Sequence, residues 1–205
     1  MPLALGPLVA PGHTALLTVE VQEGVLGDQS ILPDLARAGE VIVPKIAALA
    51  RAARAAGVPV VHCTAESRPD GLGASRNARL FAATSKRREK GPAGPPPRAV
   101  LHPGIGAEPA DLVFPRMHGL SPLSDTGVDS ALRNLGVTTI VATGVSVNVA
   151  LLATVIDGVN RGYQVVVPRD AVAGVGEDYV AAVLENTVSL LATVTTTAEL
   201  VDAWS

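Results

Sequence analysis

The chain has 205 residues, of which 48% are hydrophobic and 17% charged, and its formal net charge is −3 at pH 7. This composition excludes intrinsic disorder, and the length predicts one domain over residues 1–205 that needs no disulfide or structural metal. The slight negative charge and the aromatic content of 2% argue against a nucleic-acid or membrane-surface partner. The single cysteine, Cys63, cannot form an internal disulfide and fits a reducing cytoplasm. We predict neither a metal nor a cofactor.

Two segments bear on targeting and membrane insertion. The N-terminal residues lack a positively charged segment and are interrupted by Pro2, Pro7 and Pro11, so they make a poor signal peptide. The uncharged stretch Val137–Ile156 is long enough to cross a bilayer. It contains several polar residues, however, and divides at Gly144. We therefore predict a buried strand that leads into a buried helix.

The predicted elements alternate along the chain. Short apolar runs rich in β-branched residues predict strands at Thr14–Glu20, Val58–Cys63, Asp111–Phe114, Thr138–Ala142, Gln164–Val167 and Ala192–Thr195. Apolar residues at helical spacing predict helices at Val43–Ala56, Asp125–Leu135, Val147–Arg161, Glu177–Leu191 and Ala198–Trp204. Glycines such as Gly57 follow several of these helices, as helix ends require.

Strands that are apolar on both faces and alternate with helices predict a mostly parallel, six-stranded sheet covered on both sides. Right-handed crossovers then place the functional site at the carboxyl ends of the strands. The segments that follow strands are Glu20–Glu23, Cys63–Ser67, Arg116–Ser121, Gly144–Asn148 and Arg169–Ala171.

The segment 66–109 departs from this alternation and predicts a long irregular insertion. It is rich in Gly, Pro and charged residues, and it contains the cluster Lys86–Lys90 and the run Gly91–Pro97. An insertion of this length is typical of a lid, an oligomer contact or a mobile loop. We interpret the basic cluster as a solvated face, with a subunit contact or the attraction of anions as the alternative.

Four segments together resemble the isochorismatase-like hydrolases, also called cysteine hydrolases. They are ALLTVEVQEG (Ala15–Gly24), LARAARAAGVPVVH (Leu49–His62), the long segment Leu112–Asn148 and DGVNRGYQVVVPRDAVAG (Asp157–Gly174). The resemblance implies a Rossmann-like, three-layer α/β/α domain, a homodimer or homotetramer, and a small-molecule substrate. It also implies a catalytic trio of Asp, Lys and Cys at the ends of three strands.

The chain departs from this trio at all three positions. Glu20 stands at the position of the Asp, Arg116 or Met117 at that of the Lys, and Ala150 at that of the Cys. A methyl group cannot attack a carbonyl, so the covalent thioester route is excluded at Ala150. The family's true isochorismatases also lack the Cys, and they hydrolyse a vinyl ether by proton transfer. The absence of the nucleophile is therefore compatible with catalysis.

Glu20 and Arg116 are the remaining candidates for acid–base chemistry. A carboxyl group at a strand end among apolar residues would have its pKa raised by desolvation, and it could protonate a substrate or activate water. Arg116 cannot titrate, but it could hold Glu20 ionised or bind a substrate carboxylate. The alternative interpretation is a structural salt bridge left in a degenerate pocket.

The segment Gly144–Asn148 is the candidate anion site. The resemblance implies a cis peptide bond between Val145 and Ser146, and an oxyanion hole formed by the backbone amides of Ser146 and Ala150. These main-chain donors would survive the loss of the Cys. Asn148 is a candidate substrate contact, although we favour a structural role in tightening the bend.

Three further residues are candidate substrate contacts. Gln22 lies two residues after Glu20 and could orient a ligand or satisfy buried backbone groups. His118 and Ser121 lie in the loop after the third strand, and the ordinary pKa of histidine suits proton transfer. No Asp-x-His sequence occurs, so the metal site of some family nicotinamidases is not expected.

These observations predict a small-molecule hydrolase that uses Glu20 rather than a cysteine. The first alternative is a degenerate relative with a binding or assembly role. The second is a cysteine hydrolase whose nucleophile has moved to Cys63. A lone cysteine behind Val60 and Val61, however, is more often a small buried hydrophobic residue.

Overall fold

A single parallel sheet organises the fold. The computed structural model describes residues 4–28, 30–68, 70–89 and 100–205. The strands are β1 (Thr14–Val19), β2 (Val60–Ala65), β3 (Leu112–Arg116), β4 (Thr139–Val145), β5 (Gln164–Pro168), β6 (Val172–Ala173) and β7 (Thr193–Thr195). Six of them follow the order β3-β2-β1-β4-β5-β7, and the seventh, β6, pairs with the end of β4. The predicted parallel sheet is confirmed, with the two-residue strand β6 in addition.

Helices of different length connect these strands. They are α1 (Leu5–Leu8), α2 (Glu23–Leu26), α3 (Pro33–Gly39), α4 (Val43–Ala55), α5 (Arg79–Glu89), α6 (Val128–Asn134), α7 (Leu152–Asn160), α8 (Glu177–Val183), α9 (Ser189–Leu191) and α10 (Thr197–Ala203). A π-helical turn, Val147–Leu151, precedes α7, and a second, Leu184–Val188, joins α8 to α9. Short 3₁₀ helices lie at Pro11–His13 and Pro103–Ile105.

The sheet separates two apolar cores, which makes the predicted three-layer α/β/α architecture. On one face, β1 and β2 contribute Leu16 and Val60 to a core that also contains residues of α4 and α10. On the other face, Leu17 and Val61 pack with residues of α6, α7 and α8. Successive residues of a strand point to opposite faces, so strands that are apolar throughout supply both cores.

Local sequence explains how α4 ends. Its final carbonyl groups accept hydrogen bonds from Gly57 N and Val58 N, at 3.1 Å and 2.7 Å. Gly57 has φ +75°, a conformation that glycine adopts without steric penalty. The chain can therefore turn at this glycine and enter β2 three residues later.

Several predicted boundaries of helices and strands were wrong. The helix predicted from Asp125 begins only at Val128, because Asp125 has φ +56°, which lies outside the right-handed helical region. Thr126 Oγ1 accepts from Val128 N at 3.3 Å, while Ser124 Oγ donates to Asp157 Oδ2 at 2.6 Å. The helix predicted from Val147 begins as a π turn. Strands β2 to β4 extend two or three residues beyond their predicted ends, towards the carboxyl edge of the sheet.

The insertion 66–109 is not irregular throughout. It contains α5, an 11-residue helix, and Lys86 and Arg87 lie exposed on it. The run Gly91–Pro97 and Lys90 fall outside the described residues. The short helices α2 and α3 were missed from the sequence, because each is too brief to show a helical repeat.

Candidate active site

The strand order changes direction between β1 and β4, and the predicted site residues meet near this point. From β1 the sheet continues through β2 and β3 on one side, and through β4, β5 and β7 on the other. In open α/β sheets, ligands bind outside the carboxyl ends of the strands at such a switch point. Glu20 directly follows β1, Arg116 ends β3, and Ser146 directly follows β4.

Glu20 leaves β1 in an unusual backbone conformation. Its φ is +55°, which a residue with a side chain adopts only at an energetic penalty. Its amide still donates to Cys63 O at 2.8 Å, so the backbone remains tied to β2. The carboxylate accepts a hydrogen bond from Arg116 Nη2 and is 18% exposed. Burial raises the pKa of Glu20 above its ordinary value, and the charge and hydrogen bond of Arg116 only partly offset this.

Arg116, rather than Met117, faces Glu20. The Arg116 side chain is 8% exposed, and its second terminal nitrogen, Nη1, donates to Gly119 O. Met117 is 40% exposed and lies in the loop after β3. Because β3 pairs with β2 and places Arg116 opposite Ala65, the guanidinium lies at the same edge of the sheet as Glu20. A fixed positive charge therefore neighbours the carboxylate.

The turn after β4 brings backbone amides to the same edge. The peptide bond between Val145 and Ser146 is cis. The carbonyl of Ser146 accepts from Val149 N and Leu151 N, at 3.0 Å and 3.1 Å, which closes the π turn. Within the described part of the chain, the Ser146 amide itself donates no hydrogen bond. An amide without a partner is what an oxyanion site needs, and the binding of a ligand oxygen by Ser146 stays a prediction.

A close approach of two strands fixes the distance between this turn and Glu20. Gly144 pairs with Val19, and a Cβ added to Gly144 would lie 2.2 Å from Val19 O. No other residue fits there without moving β1 away from β4. Ala150 is buried and belongs to the same apolar core as Val19 and Cys63. The alanine and the carboxylate thus belong to neighbouring strand ends.

Cys63 is a small buried hydrophobic residue, as predicted. It is 2% exposed on β2. Burial raises the pKa of its thiol to about 12, although the nearby charge of Arg116 opposes this. A protonated, enclosed thiol is a poor nucleophile. The hypothesis of a nucleophile relocated to Cys63 therefore finds no support in the geometry.

The four candidate substrate contacts occupy different environments. Gln22 is buried, and its Nε2 donates to Ala65 O at 2.6 Å, while its Oε1 has no partner among the described residues. Ser121 Oγ accepts from Leu123 N at 3.2 Å and so stabilises a turn. His118 and Asn148 are exposed, and neither side chain bonds to a described residue. Only Gln22 combines burial with a free polar atom.

Sequence reasoning missed two residues near Arg116: one bonds to its guanidinium, and the other bonds to that first residue. Gly119 supplies the carbonyl that holds Nη1 of Arg116, and Ser75 Oγ accepts from Gly119 N at 3.0 Å. Gly119 stood within a segment singled out as following a strand, but nothing in the sequence marked its carbonyl as a ligand of Arg116. Ser75 lies in the insertion, 41 positions before Arg116, so no local pattern could have connected the two.

The described residues offer neither a cluster of metal ligands nor a helix that could span a membrane. In residues 4–28, 30–68, 70–89 and 100–205, no group of three or more His, Cys, Asp and Glu side chains could hold a metal ion. Over the same ranges, no helix has the length and apolar character needed to span a bilayer.

The protein is therefore a three-layer α/β protein with a polar site at the carboxyl ends of its strands, where the strand order changes direction. Comparison with known proteins identifies the family. The model of the isochorismatase domain matches residues 14–199, so the chain belongs to the isochorismatase family of hydrolases. It is 32% identical to the ureidoacrylate amidohydrolase RutB of Methylobacterium radiotolerans over 200 residues, which cover 86% of this chain and 72% of that protein.

Solved structures agree with this assignment. A cysteine hydrolase from Pseudomonas syringae pv. phaseolicola superimposes with a TM-score of 0.82 at 26% identity, covering 96% of this chain and 94% of the other. An isochorismatase family protein from Burkholderia thailandensis superimposes with a TM-score of 0.77 at 28% identity, covering 94% and 96%. The expected family and fold are therefore confirmed.

Proposed function

We propose that the protein hydrolyses a small amide or ureido compound by acid–base chemistry, without a cysteine nucleophile. The observation that carries this proposal is the partly exposed carboxyl group of Glu20, whose pKa is raised by burial and which lies against the fixed charge of Arg116. A general base acts best when its pKa lies near the working pH, and a raised pKa brings a carboxylate closer to that condition.

The reaction balances with water as the nucleophile. Glu20 removes a proton from water while the water oxygen bonds to the substrate carbonyl carbon. The oxygen of that carbonyl gains negative charge, which the amides of Ser146 and Ala150 stabilise. The carbon–nitrogen bond then breaks, and the leaving nitrogen receives the proton from Glu20. Arg116 stays charged throughout and stabilises the ionised form of Glu20.

An amide-type substrate is favoured over the other classes by the relatives. The two relatives at 30% identity or more are both named ureidoacrylate amidohydrolase. An enol ether is the second substrate class that the same residues could serve, because its hydrolysis begins with proton donation from a carboxylic acid. A cytoplasmic location and a homodimer or homotetramer remain predictions.

The test is a substrate panel with matched variants. Loss of ureidoacrylate, of simple primary amides and of enol ethers is followed by NMR with the purified chain. We expect Glu20→Gln to lower kcat/KM by about 10²–10⁴-fold, the usual contribution of a general acid or base. Glu23→Gln and Cys63→Ala are the matched controls and should retain activity. Full activity in Glu20→Gln would overturn the mechanism.

A binding or assembly protein is the second candidate, and a specific observation favours it. The Glu20 carboxylate is already engaged by Arg116, as it would be in a structural salt bridge. This candidate predicts that no compound of the panel is hydrolysed. It also predicts that Glu20→Gln changes neither the binding of small carboxylates and amides nor their effect on thermal stability.

A further inference from the structure

A chain of hydrogen bonds connects the insertion to the proposed general base. Ser75 Oγ accepts from Gly119 N at 3.0 Å. The carbonyl of the same glycine accepts from Arg116 Nη1, and Arg116 Nη2 donates to Glu20 Oε1. The insertion therefore contacts the backbone amide of the residue whose carbonyl binds the guanidinium, and the guanidinium in turn contacts the carboxylate.

The segment before Ser75 is built to hold this serine in place. Asp70 accepts from Arg68 Nε and Nη2 at 3.0 Å and 2.8 Å, and from Leu72 N at 3.0 Å. The backbone closes two successive turns, Gly71 N to Arg68 O at 3.0 Å and Ala74 N to Gly71 O at 3.2 Å. The second of these turns ends at Ala74, directly before the serine.

We propose that Ser75 is a positioning residue for the acid–base site. It holds the amide of Gly119, and the carbonyl of the same residue fixes the Arg116 guanidinium against the Glu20 carboxylate. This proposal rests on the function proposed above for the Glu20–Arg116 pair. It gives the insertion a role in positioning Arg116, which a simple lid or a solvated loop would not have.

Several charged and titratable groups lie near this edge of the sheet. Arg116 on β3 is the charged group that acts on the Glu20 carboxyl. The thiol of Cys63 on β2 remains protonated, with a pKa of about 12. Glu66 follows β2, Glu23 begins α2, and His118 lies exposed after β3. Loosening Arg116 should therefore leave the burial of Glu20 less compensated and raise its pKa further.

The first test is the pH dependence of kcat/KM for the wild type and three variants. Ser75→Ala removes the acceptor of the Gly119 amide, and Ser75→Thr retains it. Ser85→Ala makes the same change on the exposed face of α5 and serves as the control. We expect Ser75→Ala to move the acidic limb to higher pH. Below that limb, activity should fall roughly two- to tenfold, as expected for one lost hydrogen bond, while the plateau is unchanged.

Three outcomes of this assay decide the proposal. Recovery of the wild-type profile in Ser75→Thr, with no change in Ser85→Ala, supports it. An equal loss of activity at every pH in Ser75→Ala overturns it, because a merely structural role would not depend on the ionisation of Glu20. An unshifted limb overturns it as well.

A second measurement separates failure of this proposal from failure of the proposed function. The unfolding equilibrium is measured against pH for Ser75→Ala in the wild-type and the Glu20→Gln backgrounds. In the wild-type background, the destabilisation should grow as Glu20 ionises, by about two- to tenfold in the equilibrium constant. In the Glu20→Gln background it should be independent of pH. If the destabilisation has the same pH dependence in both backgrounds, the positioning role is overturned, whether or not the chain hydrolyses any compound tested.

Discussion

Two acid–arginine pairs lie at different places on the sheet, one beside α4 and one at the carboxyl edge, and they differ in how completely their carboxylates are bonded. On the α4 side, Asp111 accepts from Arg54 Nε and Nη2 at 3.0 Å and 2.6 Å, from Glu108 N at 2.7 Å and from His62 Nε2 at 3.1 Å. At the carboxyl edge, Glu20 accepts from Arg116 alone among the described residues.

The pKa values follow this difference. Burial opposes the ionisation of Asp111, but the bonds from Arg54, Glu108 N and His62 outweigh it and lower the pKa. Burial of Glu20 is not outweighed, and its pKa is raised. A carboxylate that accepts several hydrogen bonds is held in its charged form, whereas one that accepts a single hydrogen bond can exchange a proton. The Asp111 cluster therefore has the character of a structural ion pair, whereas the raised pKa of Glu20 does not fit that character.

Breaking the structural pair should give the largest loss of stability. Asp111→Ala leaves Arg54 and the fully buried His62 without their shared acceptor, so we expect a loss of about 3–5 kcal/mol in the free energy of unfolding. Chemical denaturation measures it. The control is Asp34→Ala, which removes the exposed partner of Arg37 and should change stability by less than about 1 kcal/mol. An equally small effect of Asp111→Ala would contradict the comparison.

Exchanging arginine for lysine should sharpen the contrast between the two pairs. Arg54 uses two nitrogens on one carboxylate, and lysine cannot reproduce that geometry. We expect Arg54→Lys to cost roughly 1–3 kcal/mol, as expected for hydrogen bonds to a charged group. Arg116 contacts Glu20 through one nitrogen, so Arg116→Lys should be the milder change in stability. The reverse order, measured by urea denaturation, would be incompatible with this interpretation.

The two carboxylates should make stability depend on pH in opposite directions. The pKa of Glu20 is raised in the folded state, so its stabilising contribution is complete below its ordinary pKa and is lost as the pH rises through the folded value. The pKa of Asp111 is lowered, so its contribution is present above its ordinary value and is lost as the pH falls through the folded value.

Variant-minus-wild-type stabilities test these signs. Between pH 3 and pH 7, Glu20→Gln should become more stable relative to the wild type as the pH rises. Asp111→Asn should become less stable relative to the wild type over the same rise. Thermal unfolding at a series of pH values measures both stability differences. If the two differences change with pH in the same direction, the opposite pKa shifts of Glu20 and Asp111 are refuted.

The sequence predicts the sheet far better than it predicts these contacts. Apolar runs and glycine stops place all six longer strands, because burial on both faces dictates their composition. The position of Glu20 follows from its place after β1. Its pairing with Arg116 was among the expectations, but its positive φ was not, because that conformation depends on how β1 meets its neighbouring strands. The cluster around Asp111 was missed for the same reason, since its partners lie 49 and 57 positions away.

The smallest predicted effect concerns Cys63. Its thiol is buried and has a pKa of about 12, so iodoacetamide at pH 7.5 should leave the native protein unmodified over a period that fully labels the protein in urea. Cys63→Ala should retain wild-type hydrolytic activity, because the thiol only fills space beside Val19 and Ala150. Rapid labelling of the native chain, together with loss of hydrolysis, would instead make Cys63 the nucleophile and reduce Glu20 to its assistant.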